Sequence, residues 1–131
     1  MSQYIEKEIV KEFEMLSPLL SSIFHEFREL SKKKQDGVLN PMKVKLTNRI
    51  LVKIRAILQD DPTIEFLDIL DEDALPTNSD VVLIIAQFRS SMELFKSRNQ
   101  VVRRSKIVWN TEPQAGEEDE SPELKFNFDG F

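Results

Sequence analysis

Ile5, Ile9, Phe13, Leu16, Leu20, Ile23, Phe27 and Leu30 follow one another at intervals of four, four, three, four, three, four and three residues. At 3.6 residues per turn, such intervals keep apolar side chains on one stripe of a helix. A stripe of that length must be laid against another apolar surface to leave water. This requirement bounds the fold: the rest of the chain has to supply the opposing surface.

Ser17–Pro18 interrupts the stripe without shifting its phase. Serine is a good N-cap and proline suits the first helical position, so the pair predicts two stacked or kinked helices here. Lys32, Lys33 and Lys34 followed by Gly37 have the character of a helix C-terminus.

Asn40–Pro41 is a second start signal. Beyond it, Val44, Leu46, Ile50, Leu51, Ile54, Ile57 and Leu58 fall within about 160° of arc, with Lys45, Arg49 and Lys53 opposite. Asp61–Pro62 opens a short helical stretch, "TIEFLDIL", which "DEDALP" closes. Thr77 and Asp80 then form a capping-box pattern before "VVLIIA". Being apolar on every side, that run predicts a helix surrounded by others. Val81, Ile85, Phe88, Met92, Phe95 and Val102 extend it as a seam, with Asn99 between the last two. Asn99 either sets register in an oligomer or marks where the helix leaves the core.

After Lys106 the pattern changes. "KIVWN" alternates, "TEPQAGEEDES" is an acidic linker, and "LKFNFDGF" alternates again. The expected fold is therefore all-α: an antiparallel bundle of four or five helices over residues 1–105. A C-terminal acidic and aromatic appendage follows over 106–131, as a short β-hairpin or a docked strand.

Charge is segregated along the chain. The net value of −5 conceals blocks of −3 over 1–31, +7 over 32–59, −8 over 60–80, +5 over 81–106 and −6 over 107–131. The blocks either neutralise one another within the fold or present a basic surface outward. There is no Cys, which excludes disulfides and thiolate metal sites and favours a reducing, cytoplasmic setting. The first residues carry charges where a signal peptide is apolar, and no apolar run spans a bilayer.

Little in the sequence suggests bond-making chemistry. His25 is the only histidine and reads as a boundary residue. Asp68, Asp71, Glu72 and Asp73 lack the glycine and distant Glu of an EF-hand and read as a solvated helix end. No catalytic residue, cofactor, metal or small-molecule substrate is assigned. Two surfaces could bind. Lys45, Arg49 and Lys53, with Arg89, Lys96 and Arg103 spaced at sevens, form basic rows of the kind that contact phosphate. Trp109, Phe126, Phe128 and Phe131 supply aromatic contacts in the appendage.

The expected function is a non-enzymatic helical module for protein–protein interaction, an adaptor or small subunit. Its partner is another protein or a second copy of itself. The alternative is a nucleic-acid-associated protein with the acidic appendage as internal competitor.

Overall fold

The structure, a computed structural model, describes residues 4–114. It contains α1 (Lys7–Lys33), α2 (Pro41–Ile57), a 3-10 helix (Pro62–Phe66), α3 (Asn78–Arg98), β1 (Gln100–Arg103) and β2 (Lys106–Trp109). The chain is mostly helical, with one small antiparallel hairpin. Three α-helices replace the four or five expected.

Two local effects account for the lower count. First, α1 runs unbroken through Pro18 for 27 residues, a length of about 40 Å. The ring removes the bond to the Glu14 carbonyl, but Pro18 and Glu14 both lie on the exposed side. There, water can satisfy the carbonyl. Second, the helical turn begun at Asp61–Pro62 stops as 3-10 at Phe66, and Leu67–Leu70 is neither helix nor strand. Buried Asn48 of α2 holds it there. Its Nδ2 donates to the Leu70 carbonyl at 2.9 Å, and its Oδ1 accepts from the Leu70 amide at 2.8 Å. Both backbone groups of Leu70 are thus taken by a side chain and are unavailable to a helix ladder.

The helix starts follow their signals. Asn40 accepts from the Lys43 amide with Pro41 in the first turn. Asp61 accepts from the Thr63 amide. Thr77 and Asp80 form the complete capping box. Gly37 lets the α1–α2 connection press on the start of α3. A Cβ there would lie 2.9 Å from the Asn78 Nδ2 and 3.2 Å from the Lys34 carbonyl. That closeness allows the Gly37 carbonyl to accept from the Asn78 amide at 2.8 Å.

The core forms where the α1 stripe (Phe13, Leu16, Leu20, Phe27) meets Val44, Leu51 and Ile54 of α2 and Val81, Ile85 and Phe88 of α3. Leu39, Leu67 and Leu70 from the connections complete it. Each such side chain contributes about 1.5–3 kcal/mol when fully buried. The run "VVLIIA" is not surrounded as expected: Val81 and Ile85 are buried, but Leu83 is 63% exposed.

The expected seam ends early. Asn99 caps α3, its amide donating to Phe95 and Lys96 carbonyls and its Nδ2 to the Phe95 carbonyl. Val102 therefore lies on β1 and not on a helix. The segment "KIVW" forms β2 and pairs with β1 in the register Gln100↔Trp109 to Arg103↔Lys106, while "LKFNF" lies outside the described residues. Trp109 fastens the hairpin to the bundle. Its ring sits edge-on to Phe13 at 4.9 Å, and Phe13 stacks on Phe95 at 5.9 Å.

Candidate functional site: a cationic cleft beside the hairpin

The first turns of α1 carry Lys7, Val10 and Lys11 on one face, since residues three and four apart are helix neighbours. The hairpin is seated against this face. Between them opens a cleft of about 530 Å3, lined by Lys7, Val10, Lys11, Arg103, Arg104, Lys106, Val108, Trp109 and Thr111. Five of these nine residues are cationic and none is acidic. Val10, Val108 and Trp109 give the cleft apolar walls between its charges.

The hairpin places its cations at a conformational cost. Arg104 and Ser105 form the turn with φ of 52° and 63°. Both are left-handed, as a two-residue turn of this twist demands, and Asn–Gly is the pair best suited to it. A non-glycine residue in that region costs about 1–2 kcal/mol. Arg103 is buried beneath the turn at 7% exposure. Its guanidinium donates to Asn110 Oδ1 at 3.3 Å and to the Thr111 carbonyl. It thereby holds the chain leaving β2 along the cleft. The Asn110 carbonyl in turn accepts from the Ile5 amide at 2.9 Å, tying that departing chain to the start of α1.

The six basic residues singled out by spacing do not form one surface. Lys45, Arg49 and Lys53 are exposed on α2 and line no part of the cleft. They form no ion pair among the described residues; the acidic block engages the basic ones through Arg98 and Asp61, at 2.8 Å. Arg89 lies over the Phe24 ring at 4.3 Å, and Lys96 stands 5.9 Å from the Trp109 ring. These two border a groove between α1 and α3 that also includes Glu93. Arg103 is on β1, away from the helical row to which its spacing assigned it. Of the aromatic set, Trp109 packs on the bundle and lines the cleft. Phe126, Phe128 and Phe131 lie outside the described residues.

The sequence also sets Arg104 and Lys106 beside the basic rows, and both line the cleft, whereas Lys7 and Lys11 were missed. One signal was present: a helix start favours acidic side chains, and Lys7 and Lys11 oppose that preference.

Two acids, Asp61 and Asp71, hold local structure. Burial of Asp61 works to raise its pKa, but hydrogen bonds from the Thr63 hydroxyl and amide, with the Arg98 charge, outweigh it and hold the carboxyl below its usual value. Asp71 accepts from the Ala74 and Asp73 amides, which lower its pKa in the same sense. Asp71 of "DILDED" thus closes a turn, and no group of three metal-ligating side chains converges among the described residues. His25 is exposed on α1. No described helix is long and apolar enough to cross a membrane. No family model, curated protein or solved structure matches the chain.

Proposed function

We propose that the chain is a non-enzymatic interaction module whose cleft takes an acidic segment of a partner protein. The observation that carries this reading is the convergence of Lys7, Lys11, Arg103, Arg104 and Lys106 around apolar walls with no acid among the lining residues. Fixed cations favour carboxylates, and Val10, Val108 and Trp109 accept the aliphatic or aromatic side chains between them. Strain at Arg104 and Ser105 supports it, because backbone outliers persist where a side chain's placement matters. The compact cleft suits a short peptide better than a duplex, whose phosphates need an extended track. The absence of Cys fits a cytoplasmic setting.

Nucleic acid is the second reading, favoured by the exposed α2 row of Lys45, Arg49 and Lys53, which form no ion pair among the described residues. A labelled hexaglutamate peptide and a labelled single-stranded oligonucleotide separate the two. The first reading predicts peptide binding at low salt that Lys7→Glu/Lys11→Glu weakens at least tenfold, while Lys45→Glu/Lys53→Glu changes it less than twofold. Oligonucleotide binding lost with the α2 pair and kept with the α1 pair would establish the second reading instead.

A further inference from the structure

The cleft lies where the described chain ends, and the sequence that follows has the opposite charge. Thr111 is part of the cleft wall. Glu112, Pro113 and Gln114 then run beside Tyr4, Ile5, Glu6 and Lys7, so Lys7 borders both the cleft and the departing chain. Glu117, Glu118, Asp119 and Glu120 come next, with Glu123 shortly after. Only three residues of chain, a reach of at most about 11 Å, separate the first of these acids from Gln114. Five acids thus follow a cleft lined by five cations.

We propose that Glu117–Glu123 of the same chain occupies the cationic cleft as an internal ligand and is displaced when the partner's acidic segment binds. This rests on the cleft being the binding surface, and it adds regulation to that reading. A short tether holds a segment at millimolar effective concentration. Against a free-segment Kd of about 0.1 mM, that occupancy weakens binding of an outside ligand about tenfold. Both contacts are between charged groups near solvent, so both fade as salt rises. The internal ligand therefore sets a threshold: a purely acidic ligand binds about tenfold more weakly, and aromatic side chains for the Trp109 wall offset that loss.

The test uses the full chain with Glu117→Gln, Glu118→Gln, Asp119→Asn and Glu120→Gln together, and labelled hexaglutamate as the probe. The neutralised chain is expected to bind the probe about tenfold more tightly than the unaltered chain at 50 mM salt, a gain that vanishes at 0.5 M. Adding Lys7→Glu/Lys11→Glu to it should abolish that gain. Trp109 is the only tryptophan, so its emission reports on the cleft. It should differ between the two chains at low salt and converge at high salt. Equal probe affinity in both chains, still lost with the lysine reversals, would overturn the internal ligand and leave the cleft reading standing. Tighter binding by the neutralised chain that survives the lysine reversals would overturn it too, by placing the contact elsewhere. Absence of probe binding in either chain would remove the cleft reading and the internal ligand together.

Discussion

Asn48 is the residue on which the helix count turns. It lies buried in α2 and satisfies both backbone groups of Leu70, which would otherwise be unpaired in the core. Each orphaned buried group costs about 1–3 kcal/mol. Asn48→Ala is therefore expected to lose about 2–4 kcal/mol in urea unfolding, with the loss centred on residues 67–70 in amide exchange. A change below about 0.5 kcal/mol would show that the 67–70 segment is held by something else. Asp61 makes a second prediction at this scale. Its folded pKa is depressed, so its stabilisation is present above the ordinary carboxyl range near 3.8 and is lost as pH falls through the lower, folded value. Asp61→Asn should flatten the acid limb of a stability–pH curve, and an unchanged acid limb would count against the Arg98 pin. Neither role could be read from a single residue type. An Asn beside an apolar helix face signals a buried partner, but that partner is 22 residues away. Nothing local in "DILDED" names it.

Among the elements, α1 and the hairpin show which sequence signals win. The periodic apolar stripe outweighed Pro18, because the proline falls on the exposed side where its missing donor is tolerated. Start signals with a mechanism, at Asn40, Asp61 and Thr77, transferred to structure with their hydrogen bonds. The first strand of the hairpin and its turn were hidden for the converse reason. Val102 continues the helical period of α3, and Arg104–Ser105 lacks the Asn–Gly signature of a tight turn. Only the structure shows that Asn99 ends the helix. The strained turn gives a prediction. Arg104→Asn with Ser105→Gly should raise stability by about 1 kcal/mol while weakening acidic-peptide binding, since it relaxes two left-handed residues and removes a cleft cation. A stabilised variant with unaltered peptide affinity would show that Arg104 is not part of the contact.

At the scale of the whole molecule, the bundle brings its two chain regions together, Lys7–Lys11 from one end and Arg103–Thr111 from the other. Residues nearly the full described chain apart thereby make one cationic surface. Block charges left open whether a basic face exists, and said nothing of its place. The row on α2 was one of two offered by spacing, yet it lines no part of the cleft. Helical patterning was legible because it repeats every few residues; the cleft was not, because it depends on a hairpin docking through Trp109 onto Phe13. That docking makes recognition a property of the folded bundle and not of any one segment. The most direct test is amide chemical-shift mapping of the full chain with an unlabelled hexaglutamate peptide at low salt. Shifts concentrated on Lys7–Lys11 and Arg103–Thr111, with the Trp109 indole among the largest, are the expected result. Shifts confined to the Lys45–Lys53 row, or none at all, would contradict it.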